Sequence, residues 1–186
     1  MFFRKRRSQQ NASEYATAED FREIFSRHMT GLHLLAFLLT ADAHKAEEVF
    51  VAGLDDSING NPVFRQWARS CWSQRAIIKR AIRAVKPSPA APVEVLRHEP
   101  EKTGNPELDG LVAAVAKLRA FERFVFVLAI LEGYSIPECV TLLACTPADV
   151  MKARTAALQN IALEREPQSI ENLGTSQWNA LFASPS

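Results

Sequence analysis

The sequence predicts an all-α protein: two small helical domains joined by a proline-rich linker, the second domain containing a helix-turn-helix. Three observations predict it. Apolar residues recur at three- and four-residue spacing, as on one face of an α-helix. Capping residues precede several of these stretches. Proline, which cannot continue a helix, is concentrated in residues 87–105. With 186 residues, 47% of them hydrophobic and 23% charged, the chain has the composition of a globular protein.

The first 86 residues are predicted to contain a basic arm and a three-helix domain. Residues 1–16 form the arm, in which the tetrad from Arg4 to Arg7 is not followed by the apolar stretch of a signal peptide. Residues 17–86 form the first domain. Its first helix is expected to run from Thr17, with Asp20 as capping partner, to close to Thr40, and its second from Asp42 to about Ile58. After a turn at Asn59–Pro62, the third is expected to run from about Pro62 or Val63 to Val85.

The second half is predicted to consist of a linker (87–105), a helical domain (106–165) and a tail (166–186). Asn105 and Pro106 begin its first helix. Residues 118–161 then form three more helices separated by two tight breaks, the first at Gly133. The second and third of these begin at the capping pairs Ser135 with Glu138 and Thr146 with Asp149.

Only a short turn at Ala144–Thr146 separates the last two predicted helices. A short helix, a three-residue turn and a longer helix make up a helix-turn-helix, whose second helix enters the DNA major groove. The same pattern also suits an ordinary helical hairpin in an all-helical core. The spacing alone leaves both interpretations open.

The third predicted helix is the most basic part of a chain whose formal net charge is only +1. Between Phe64 and Lys86 there are seven cations and no acidic residue. At about 100° per residue, four of these arginines fall within about 60° of arc. Such a face, bordered by an aromatic ring, suits single-stranded or distorted DNA, although a solvated amphipathic helix with a buried Trp is the alternative. The expected DNA contacts are Arg65, Arg69, Trp72, Arg80 and Arg83, and the expected core residues are Phe64, Trp67, Cys71, Ile78, Ile82 and Val85.

The predicted helix-turn-helix is electrically neutral. From Lys117 to Glu166, six cations balance six acidic residues. Because phosphate contacts supply most non-specific affinity, we expect weak autonomous DNA binding by this region. The residues expected to reach DNA are Thr146, Lys152, Arg154 and Thr155.

Several functional classes find no support in the sequence. It has no nucleophile elbow, phosphate loop or metal cluster, so we expect neither an enzyme nor a metal, a cofactor or a small-molecule substrate. The three cysteines form no CxxC pair, which favours the reducing cytoplasm. The longest apolar run, Leu34–Leu39, is too short to cross a membrane.

The C-terminal half also contains a set of short motifs: Leu118, Arg123–Leu128, Glu132–Ser135, Leu142–Thr146 and Val150–Arg154. Together they resemble the C-terminal domain of sigma-70-family factors, most closely the small extracytoplasmic-function sigma factors. The resemblance spans residues 118–161 and implies that the last helix binds the upstream promoter element. The family usually has Gly in the turn where this chain has Ala144.

Two stretches in the first half of the chain also resemble sigma-70-family segments, and they occur in the order in which the family has them. Leu32–Thr40 with Ala46–Val49 resembles the start of the N-terminal domain, and Phe64–Trp67 with Arg75–Ile77 resembles the segment that opens the downstream promoter element. The resemblance implies that Glu47, Glu48 and Val51 lie where the family contacts the polymerase. The departures are Val51 and Ala52 in place of the usual Gln-Glu, and Gln74 and Ile78 in place of frequent Asn and Asp.

The resemblance implies a bacterial, cytoplasmic transcription initiation factor that binds core RNA polymerase and promoter DNA, with an anti-sigma protein as a further partner. The departures and the neutral recognition helix support an alternative. In it, the chain is a diverged sigma-like protein that regulates through protein contacts and does not open promoters.

Overall fold

The computed structural model describes residues 14–91 and 105–164, and the protein is all-helical within these ranges, as predicted. Residues 1–13, 92–104 and 165–186, and with them most of the predicted arm, most of the linker and the tail, lie outside the described residues. The helices are α1 Ala18–Arg27, α2 Met29–Thr40, α3 Ala43–Asn59, α4 Arg65–Trp67, α5 Ser73–Val85, α6 Pro106–Lys117, α7 Ala120–Phe126, α8 Ile136–Leu143 and α9 Pro147–Glu164. Two π-helical segments, Ala68–Trp72 and Val127–Leu131, follow α4 and α7.

Helices begin at the predicted capping residues. The N–H of Thr17 donates to Oδ2 of Asp20 over 2.8 Å, and the N–H of Asp20 donates back to Oγ1 of Thr17 over 3.2 Å. This reciprocal pair satisfies backbone donors that have no partner within the helix. The other predicted caps also make hydrogen bonds in the first turn of their helices: Asp42, Asn105, Ser135 and Thr146.

The predicted first helix is wrong in one respect, because it is broken at His28. His28 has φ −105° and ψ 19°, so the chain leaves the helical path between α1 and α2. Phe21 and Ile24 of α1 pack in a small cluster with Val63. Helix α2, in contrast, is buried around most of its circumference in the main core. Phe25 of α1 also belongs to the main core, so α1 packs in both clusters, whereas the buried apolar residues of α2 belong to the main core.

The predicted regular helix from Val63 to Val85 is also wrong, since Ala68–Trp72 is π-helical. A π-helical turn holds extra chain compared with an α-helical turn, so the faces of α4 are offset from those of α5. Phe64 and Trp67, expected in the core, are 38% and 56% exposed. Ile78, beyond the π-helical segment, is buried as expected.

One hydrophobic core contains buried residues from both halves of the chain. Leu35 and Leu39 of α2 belong to the same cluster as Phe124 of α7. Because residues 92–104 lie outside the described part, the division into two domains at 87–105 stays a prediction. Within residues 14–91 and 105–164, no helix is long and apolar enough to cross a bilayer.

Candidate nucleic-acid interface

An aromatic surface lies at α4, where the basic helix begins. The rings of Tyr15 and Phe64 are stacked with centroids 4.8 Å apart, and Trp67 meets Phe64 edge-on at 5.7 Å. Arg65 lies within this segment, where its guanidinium contacts Oδ2 of Asp20 at 3.1 Å, and Arg69 follows as an exposed side chain. We call Tyr15, Phe64, Arg65, Trp67 and Arg69 the α4 surface.

Sequence reasoning missed Phe64, Trp67 and Tyr15 as functional candidates. It placed the first two in the core because it assumed an uninterrupted α-helix. The sequence did contain a pattern that indicates a functional surface: Phe64 and Trp67 are three residues apart, and Arg65 and Arg69 are close to them in sequence. Residues at that spacing are neighbours on a helix surface.

Arg80 and Arg83 form a second group around a carboxylate. The guanidinium of Arg80 donates two hydrogen bonds to Asp56, and this raises the pKa of Arg80. Nη1 of Arg83 lies 3.6 Å from Oδ2 of the same Asp56. The four arginines expected on one basic face therefore divide between two places, and three of them pair with carboxylates. Pairing lowers the positive potential that they offer to phosphate.

Trp72, expected beside the cations, is half-buried rather than presented to solvent. The ammonium nitrogen of Lys79 lies 6.0 Å from the centroid of its ring, within the range of a cation–π contact. Trp67 is the better placed of the two indoles for stacking on a base, because its ring is the more exposed.

The turn between α8 and α9 has the predicted length and a left-handed residue at its start. Ala144 adopts φ 50° and ψ 49°, the conformation for which glycine is usually selected. The N–H of Cys145 donates to the carbonyl oxygen of Val140 over 3.3 Å and closes the end of α8. Helix α9 then buries Val150, Ala153 and Ala157 in the core.

The predicted DNA contacts at and near the start of α9 differ in whether their side chains already make hydrogen bonds. Lys152 and Arg154 are exposed. The hydroxyl of Thr146 is engaged in the cap, donating to Oδ2 of Asp149 over 2.7 Å, and this hydrogen bond lowers the pKa of Asp149. The hydroxyl of Thr155 donates to the carbonyl oxygen of Met151 over 3.1 Å. Contact between either hydroxyl and a phosphate would have to replace or share these hydrogen bonds.

The segment after α5 lies beside the start of α9. Nη2 of Arg119 donates to the carbonyl oxygen of Ala91 over 2.7 Å. Ser88–Ala91 and Lys152 line the same cavity of about 290 Å³. DNA that approached Lys152 would therefore meet this segment as well.

The predicted polymerase contacts lie on α3. Glu47, Glu48 and Val51 are all exposed, and Val51 has 58% of its surface accessible. Their spacing of three and four residues places them on one side of the helix. Nδ1 of His44 lies 3.3 Å from Oε1 of Glu48.

No protein-family model, curated protein or solved structure matches the chain. Among the described residues, no group of three or more His, Cys, Asp or Glu side chains is arranged to hold a metal ion. The α4 surface offers aromatic rings for stacking and arginines for contact with anions. Helix α9 offers the exposed polar side chains of Lys152 and Arg154.

Proposed function

We propose that this chain is a sigma-70-like transcription initiation factor of the bacterial cytoplasm that binds core RNA polymerase and promoter DNA. The observation that carries the proposal is the α4 surface, where the exposed side chains of Phe64 and Trp67 are close in sequence to Arg65 and Arg69. Aromatic rings stack on unpaired bases while neighbouring cations neutralise phosphates, the combination used by proteins that bind single strands. Here it would hold the melted promoter strand.

In this proposal, the two halves of the chain act as two domains and α8 with α9 acts as the helix-turn-helix. The support is the short turn through left-handed Ala144 and the exposure of Lys152 and Arg154 near the start of α9. In such motifs the N-terminal residues of the second helix contact base edges. Helix α3 would contact the polymerase through exposed Glu47, Glu48 and Val51.

The proposal is tested by binding of core RNA polymerase to the wild type and to Val51→Gln/Ala52→Glu, which restores the residues usual in the family. Saturable binding by the wild type supports an initiation factor. A wild type that does not bind, together with a double variant that does, contradicts it and favours a protein that has lost the polymerase contact.

A second candidate is a diverged sigma-like regulator that acts through protein contacts, for example with an anti-sigma protein. The observation that favours it is the packing of α2 against α7 around Arg123, which is only 2% exposed. A shared core opposes the separation of the two halves that simultaneous contact with distant promoter elements would require. Ion pairing of Arg65, Arg80 and Arg83 points the same way, because it reduces the charge available to DNA.

The two candidates are separated by a distance measurement. Dyes placed at two exposed positions outside the proposed contacts, Ser26 on α1 and Leu163 on α9, report the separation of the halves by energy transfer. An increase in distance on addition of core RNA polymerase favours the initiation factor. Complex formation with an unchanged distance favours the regulator.

A further inference from the structure

A cleft of about 570 Å³ lies between α5 and α8, and two of the predicted DNA contacts, Trp72 and Arg83, are among its lining residues. Trp72, Ala76 and Ile78 contribute apolar groups from one half of the chain, and Pro137 and Leu142 do so from the other. Gly60 and Asn61, after α3, also line it. Its volume lies within the range of small-molecule binding sites, which are also largely apolar with a few polar groups.

The charge around the cleft is positive. Arg75, Lys79 and Arg83 line it together with the carboxylates of Asp56 and Glu138. Asp56 already accepts two hydrogen bonds from Arg80. The lining residues therefore contribute three cations and two carboxylates, an excess of one positive charge.

The carboxylate of Glu138 is engaged within its own helix. Its Oε2 accepts the N–H of Ser135 over 2.8 Å and the hydroxyl of Ser135 over 2.6 Å. Arg75 and Lys79 are exposed cations at the edge of the cleft, where Arg75 lies near Glu138 and Lys79 lies over the ring of Trp72. An anion entering the cleft would meet both.

The aromatic groups of the cleft add polar contacts of their own. Burial raises the pKa of Tyr134, which keeps its phenol neutral, and Arg75 lies close enough to hydrogen-bond it. Among the described residues, the buried indole N–H of Trp72 has no hydrogen-bond acceptor. Because this N–H is shielded from solvent, the part of Trp72 that is open to the cleft is its ring.

We propose that the cleft between α5 and α8 binds a small organic anion, with a planar apolar body against Trp72 and Ile78 and its carboxylate or phosphate between Arg75 and Lys79. The proposal does not depend on polymerase or DNA binding. Because both halves of the chain form the walls, occupancy would also stabilise their packing.

The test is calorimetric titration of the full chain with 2-naphthoate, indole-3-acetate and 1-naphthyl phosphate, with neutral 2-naphthamide for comparison. At least one of the anions should bind saturably with a Kd below about 1 mM. The amide should bind at least about tenfold more weakly than naphthoate, because it lacks the charge-assisted hydrogen bonds.

The double variant Arg75→Gln/Lys79→Gln should weaken binding by about tenfold or more. Both residues are exposed, so the fold should persist, which circular dichroism checks. The matched control is Arg22→Gln/Arg27→Gln on α1, which removes the same charge away from the cleft and should keep the Kd of the wild type. Three results would overturn the proposal: no anion binding below about 1 mM, equal binding of naphthoate and its amide, or unchanged affinity in the Arg75/Lys79 variant.

Discussion

The guanidinium of Arg123 on α7 donates a hydrogen bond to the main-chain carbonyl oxygen of Leu39 on α2 over 3.3 Å. It also donates to the carbonyl oxygens of Leu118 at 2.9 Å and Thr40 at 3.4 Å. A buried charge is tolerated only when its donors are satisfied, and here both halves of the chain supply acceptors. Arg123 therefore fixes the position of α7 against the end of α2, because its donors are satisfied only when the two halves pack in this way.

Replacement of Arg123 by Met should lower the free energy of unfolding by about 3 kcal/mol, because it leaves buried carbonyl groups without their donor. Urea denaturation measures the change. Arg22→Met on the surface of α1 is the control and should stay within about 0.5 kcal/mol of the wild type. Equal urea midpoints for Arg123→Met and the wild type would contradict the role assigned to Arg123.

Replacement of Ala144 by Gly should stabilise the protein by about 0.5–1 kcal/mol. Ala144 has φ 50°, and the left-handed conformation costs an L-residue about 1–2 kcal/mol, part of which the greater freedom of unfolded glycine cancels. Thermal unfolding measures the change. Ala148→Gly, within α9, is the matched control and should destabilise by up to about 1 kcal/mol. A loss of stability in Ala144→Gly would refute the argument.

Acid should weaken the start of α9. The hydrogen bonds from Thr146 hold the pKa of Asp149 below its usual 3.8. A carboxyl whose pKa is depressed on folding contributes stability above its unfolded pKa and loses it as the pH falls through the folded value. The unfolding temperature should therefore fall below about pH 4, and less steeply in Asp149→Ala than in the wild type.

Thr146→Val removes the hydroxyl that hydrogen-bonds with Asp149, so it disrupts the same capping pair through the other residue. It should flatten the pH dependence as Asp149→Ala does, and the double variant should add little, since the residues act as a pair. The measurement is the unfolding temperature from pH 7 to pH 3. The capping pair has no part in acid sensitivity if both single variants keep the wild-type slope.

Trp67→Ala should weaken binding to a single-stranded oligonucleotide by about tenfold, because one ring stacked on a base contributes about 1–3 kcal/mol. Fluorescence anisotropy of a labelled strand reports the affinity. Trp67→Phe keeps a ring at the same place and should retain most of it. An unchanged affinity in Trp67→Ala would remove the α4 surface from the proposed function.

The starts of the helices could be predicted from the sequence because capping is local chemistry. Thr17 with Asp20, and Ser135 with Glu138, need only three residues and their own hydrogen bonds. The break at His28 could not be predicted in the same way. The apolar stripe runs through it, and His28 makes no side-chain capping hydrogen bond that would mark the start of a new helix.

The candidate site was predicted in part. The basic character of residues 64–86 comes directly from composition, but the arrangement of its cations does not. The π-helical segment at Ala68–Trp72 exposes Trp67. Asp20 and Asp56, distant in sequence, come to lie beside Arg65 and Arg80. No helical wheel of one segment contains such partners.

By itself, then, the sequence determined the all-helical class, the capped starts of the helices and the short turn at Ala144, because each follows from periodicity or from hydrogen bonds between near neighbours. Only the tertiary structure decided which arginines are paired, which indole is exposed, and that Arg123 is buried against Leu39. These outcomes depend on side chains brought together from distant parts of the chain, where burial and charge pairing override local preference.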